Sequence, residues 1–137
     1  MKKYLVITPD ILSDRDSTLS GVFILSEKVK MLSDFMNETN AALVMIDPSK
    51  KQKDDYAEQK FWSRMLKMMG LKFGVAEYLT FSKQIERFFY RRKMSKDKWV
   101  IITNGKKLSS NKGQIINVNY HYGLQESDLN NARQLLA

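Results

Sequence analysis

Short apolar runs, each cut off by turn-forming residues, dominate the chain. Tyr4-Leu5-Val6-Ile7-Thr8 stops at Pro9-Asp10, and residues 41–46 stop at Asp47-Pro48. Runs of this length without alternating polar positions suit strands buried on both faces of a parallel sheet. Between the two runs lie a polar loop over residues 11–20 and a segment over residues 21–37. That segment carries Val22, Leu25, Val29, Leu32 and Met36 at three- and four-residue intervals, which is one face of a helix beginning at Gly21. Strand, loop, helix and strand in this order make a βαβ unit.

The pattern continues to the other terminus. Residues 56–69 turn amphipathic, with Phe61, Met65, Leu66 and Met69 on the apolar side and Gly70 as the stop. Residues 71–81 fit neither the helical nor the strand period and stay open. A helix is expected over residues 82–95, with Ser82 as a cap and Ile85, Phe88 and Phe89 inward. Residues 99–103 read as a strand halted at Asn104-Gly105, and residues 114–120 as another, joined to it by a hairpin or by a crossover. A last helix is expected over residues 126–136, capped by Ser127. The pattern therefore predicts one three-layer, Rossmann-like α/β domain over residues 1–137, with a mainly parallel sheet of four to five strands.

Length and charge sharpen this picture. A chain of 137 residues is the size of one ordinary domain. It has no cysteine, which removes disulfides, thiolate metal sites and cysteine catalysis, and a cytoplasmic setting is the default expectation. No apolar stretch is long enough to span a bilayer. A formal net charge of +8 favours anionic partners or serves solubility.

Candidate chemistry falls at the predicted strand ends. The loop from Pro9 to Gly21 joins a strand to a helix N-terminus, where backbone N–H groups favour an anion, although its single glycine matches no dinucleotide or P-loop pattern. His121, the sole histidine, follows the last strand and is the best single polar site candidate, with a purely structural role as the alternative. Asp10, Asp14, Asp16 and Asp47 can serve a magnesium ion or a base there, or simply shape turns. One histidine without cysteine argues against zinc. Glu58-Gln59-Lys60 has the E-x-K form of some nucleases but lies in an expected helix. No metal and no cofactor are expected. The basic segment between Lys50 and Lys98 interleaves cations with aromatics, and Lys83, Arg87, Arg91, Arg92 and Lys93 of its second helix are the candidates for an anionic membrane surface or a nucleic-acid backbone.

The opening strand with Pro9-Asp10, then Ser20-Gly21-Val22-Phe23 leading to Leu32, then the strand over residues 41–46, resembles the N-terminal domain of GT-B glycosyltransferases. Residues 99–105 and 115–123 look like that family's later strands, the second ending in a histidine. The resemblance implies a Rossmann-like acceptor-recognising domain, with Gly21 at the close approach to the donor diphosphate and His121 as a catalytic residue beside the transferred sugar. It also implies a nucleotide-sugar-binding domain or partner chain, and peripheral attachment at the inner face of the membrane. The chain departs from the family in lacking the second domain with its acidic motif, so the expected function is an acceptor-side domain incomplete for catalysis alone. The alternative is a non-enzymatic basic module that binds nucleic acid or an anionic surface.

Overall fold

The computed structural model describes residues 2–21, 23–47, 55–79, 87, 88, 90, 91, 98–104 and 114–137. Five strands, β1 (Lys3–Ile7), β2 (Ala42–Ile46), β3 (Val75–Leu79), β4 (Lys98–Thr103) and β5 (Ile115–Asn117), form one sheet in the order β3-β2-β1-β4-β5. Every pairing is parallel, so β4 and β5 are joined by a crossover and the hairpin alternative falls away. Helices flank both faces, as in a Rossmann-like fold.

The apolar runs behave as expected of doubly covered strands. On one face Leu5, Ile7, Leu43, Met45, Val100 and Ile102 join a single core with side chains from α2 (Ser26–Thr39), α3 (Asp55–Met68) and the C-terminal helix α4 (Glu126–Leu136). On the other face Tyr4, Val6, Val44, Ile46, Trp99 and Ile101 pack with Phe88. Phe88 is fully buried and meets Tyr4 edge-on, with ring centroids 5.8 Å apart. The described part of the expected second basic helix, at Arg87, Phe88, Tyr90 and Arg91, is helical; Ser82, Ile85 and Phe89 lie outside the described residues.

Three local expectations are corrected. The helix after β1 begins at Ser26 and not at Gly21, because Leu25 is extended and its N–H is already donated to the Leu12 carbonyl. A 3-10 turn (Pro9–Leu12) and a short helix α1 (Arg15–Leu19) occupy the stretch expected to be loop. The cap of α4 is Gln125, not Ser127: the Asp128 carboxylate accepts the Gln125 N–H, and the Asp128 N–H is donated to the Gln125 carbonyl. Burial is the first cause that raises the Asp128 carboxyl above its usual range, with the Gln125 N–H and the Lys28 charge acting against it.

The stretch left open contains β3. Leu43 pairs with Val75 but Val44 pairs with Glu77, so Ala76 is an extra residue and the side-chain alternation breaks at that bulge. In α3, Leu66 is buried as expected, whereas Phe61 is exposed. The helix reaches β3 through Gln59, which donates to the Val75 and Ala76 carbonyls, and through Ser63, which accepts the Val75 N–H. Gly70 follows α3 with φ 110°, the left-handed stop anticipated there.

Candidate functional site

In the order β3-β2-β1-β4-β5 the chain leaves β1 toward one side and enters β4 on the other, so the ligand-binding crevice of such a sheet is expected beyond the carboxyl ends of β1 and β4. Thr8 and Thr103 stand at those ends, both fully buried, with their hydroxyls 3.2 Å apart. The Thr8 hydroxyl also lies 2.6 Å from Asp10 Oδ1. Ile11 and Leu12 then plug into the core, so the connection after β1 is anchored by apolar burial where a dinucleotide site would have glycines.

A second segment closes onto this connection. After β5 the chain turns through residues 119–123, held by the Asn119 to Gly123 bridge and by the Gly123 N–H donated to the Asn119 carbonyl. Gly123 has φ 65°, and a Cβ there would sit 1.9 Å from the Ser13 carbonyl oxygen. Only glycine permits both that dihedral and that approach. Leu124 donates its N–H to the Ile11 carbonyl, and Arg15 donates its N–H to the His121 carbonyl. The turn and the connection after β1 thus form one backbone-bonded unit.

This unit projects three adjacent aromatic side chains. Tyr120 and Tyr122 are 63% and 59% exposed, and His121 between them is exposed as well. The His121 ring lies 5.5 Å from the Tyr120 ring and 6.4 Å from the Tyr122 ring, centroid to centroid. Arg15 Nη1 is 3.3 Å from His121 Nδ1. A guanidinium only donates, so Nδ1 accepts and the neutral ring carries its proton on Nε2, where it is a hydrogen-bond donor. In this arrangement His121 offers a proton to a ligand oxygen; service as a base requires release of Nδ1 from Arg15.

The remaining candidates separate. Asp14 caps α1 by accepting the Ser17 N–H at 2.7 Å, and the hydrogen bonds from Ser17 lower its carboxyl below the usual range, with the Lys28 charge assisting. Asp10 is engaged by Thr8, and among the described residues no three carboxylate or imidazole groups converge as a cation site. Gly21 follows α1 at φ 84°, five residues before α2, with nothing within 4 Å of the position a Cβ would take. It therefore does not begin the helix expected there. Arg87 and Arg91 are exposed one helical turn apart, while Lys83, Arg92 and Lys93 lie outside the described residues.

One residue escaped the sequence reading. Lys28 is buried, and its ammonium donates to the Leu124 carbonyl at 2.6 Å, tying α2 to the base of the aromatic turn. Its signal was present: Lys28 falls three residues after Leu25 and four before Leu32, on the apolar face of the expected helix. A long stem lets it line the core while its head finds a carbonyl.

Cavities also open at the opposite, amino-terminal edge of the sheet. One of about 270 Å³ is lined by Met36, Leu43, Leu71 and Phe73 among others, and a wider one of about 690 Å³ by Lys2, Tyr4, Asn40 and Glu77 among others. Ligands of parallel sheets bind at the carboxyl edge, where the strand ends and loops supply the polar groups, so the aromatic turn is the stronger candidate. No helix among the described residues is long and apolar enough to cross a membrane. Comparison with protein-family models, curated proteins and solved structures returns no match for this chain.

Proposed function

We propose that this domain is the acceptor-side half of a GT-B-like glycosyltransferase, and that its acceptor is a saccharide held at the Tyr120-His121-Tyr122 turn. The observation that carries the reading is a rigidly seated, exposed aromatic triplet at the carboxyl edge, with the His121 imidazole at its centre and Arg15 beside it. Tyrosine faces suit the C–H surfaces of a sugar ring, and the imidazole N–H and guanidinium suit its hydroxyls. Large apolar side chains are exposed on the connection after β1 too, at Leu19 and Phe23, which a second domain or a bound acceptor would cover.

The sequence resemblance supports the same reading through β1, β2, β4, β5 and His121, and gains nothing from Gly21. Sugar transfer then requires a nucleotide-sugar-binding domain or partner chain, and the domain alone binds acceptor without turning it over. Saturation-transfer NMR against a panel of soluble and lipid-linked oligosaccharides tests this. Saccharide signals should gain saturation from the wild-type protein, and His121→Ala should weaken binding about tenfold, the loss of one or two hydrogen bonds. Saturation of none of the panel, or equal binding by His121→Ala, would reject the reading.

A further inference from the structure

The outer surface of α3 carries a stripe of four side chains, Tyr56, Lys60, Arg64 and Lys67, at spacings of four, four and three residues, which stack along one side of a helix. A shallow cavity of about 180 Å³ opens on this stripe, lined by those four side chains with Gln59 and Ser63. Lys60, Arg64 and Lys67 are exposed, and among the described residues no carboxylate lines the cavity and none of the three is paired with one. Three like charges within about 10 Å along a helix repel one another, since the rise is about 1.5 Å per residue. An anion between them removes that repulsion and gains charge-assisted hydrogen bonds.

The stripe is also partly organised before any ligand arrives. The Lys60 ammonium sits 4.6 Å from the centre of the Tyr56 ring, which fixes its stem along the helix. Ser63 and Gln59 are held against β3, so the cavity floor is rigid. We propose that Lys60, Arg64 and Lys67 form a binding site for a multiply charged phosphate group. A phosphate fits better than a carboxylate because one planar guanidinium fork and two ammonium groups supply more donors and more charge than a single carboxylate can accept. The site uses none of the residues of the carboxyl-edge turn and stands independently of the saccharide reading.

The phosphate can belong to a soluble phosphate ester or to a phospholipid headgroup, and one experiment separates the sources. Inorganic pyrophosphate is titrated into the labelled protein at low salt while backbone and arginine side-chain NMR signals are followed, and sedimentation is measured with phosphatidylcholine vesicles containing or lacking phosphatidate. The site predicts saturable shifts concentrated at Lys60, Arg64 and Lys67, and at least about tenfold weaker binding by Arg64→Gln, which alters only an exposed residue and leaves the fold intact. Pyrophosphate binding without vesicle binding assigns a soluble ester. Phosphatidate-dependent sedimentation that Arg64→Gln abolishes assigns a headgroup. Shifts that do not saturate, that spread evenly over exposed lysines, or that persist in Arg64→Gln overturn the proposal.

Discussion

Gly123→Ala is expected to lower the unfolding free energy by about 4 kcal/mol, combining a disfavoured positive φ with an overpacked contact. The added methyl would stand 1.9 Å from the Ser13 carbonyl oxygen and 3.0 Å from that of Ile11, both backbone atoms that cannot swing aside. Relief requires the turn to lift away from the connection after β1, which breaks the Leu124 to Ile11 and Arg15 to His121 hydrogen bonds. A small domain has about 5–15 kcal/mol in total, so this one methyl removes a large fraction of it. Gly21→Ala is the matched control. Its φ of 84° is equally left-handed, but the space around it is open, and the expected cost is only about 1 kcal/mol. Urea denaturation of both variants decides the matter, and equal losses would show that the turn is not seated against Ser13.

Phe88→Ala is expected to cost about 4 kcal/mol, as for a fully buried phenylalanine whose cavity cannot collapse against a sheet. Phe88 is the described helical side chain packed on the second face of the sheet, where Tyr4, Val6 and Trp99 would otherwise meet water. Thermal or urea denaturation reads the loss, and a change below about 1 kcal/mol would mean that the residues around Phe88 do not cover that face. The pair of variants probes different levels of the structure. Gly123 concerns the seating of the candidate site, and Phe88 concerns the third layer of the domain.

Much of this architecture could be read from the chain because its strands are central and doubly covered. Residues 4–8, 41–46 and 99–103 are continuous apolar runs, and continuous runs leave little choice but a parallel sheet between helices. The edge strand β3 was hidden for a physical reason: Ala76 interrupts the alternation, and an edge strand needs only one well-buried flank. The helix start after β1 was misplaced because the spacing of Val22 and Leu25 continues the helical period into a segment where Leu12 claims the Leu25 N–H. Side-chain period carries no information about that backbone competition. His121 stands out in the sequence by its place after a strand, whereas Arg15, which it meets, does not, since their meeting depends on how two loops pack. Lys28 was hidden by its type, a lysine being expected at the surface even on an apolar face.

The central claim is that ligand binds at the carboxyl edge, at the aromatic turn, and the most direct test is to map where a bound oligosaccharide perturbs the NMR spectrum of the wild-type protein. The ring signals of Tyr120, His121 and Tyr122 and the Arg15 guanidinium should shift together along one saturating curve, while Met36, Leu71 and Phe73 around the 270 Å³ cavity stay fixed. Shifts at Met36, Leu71 and Phe73 with the aromatic turn unmoved would place the site at the amino-terminal edge and contradict that claim.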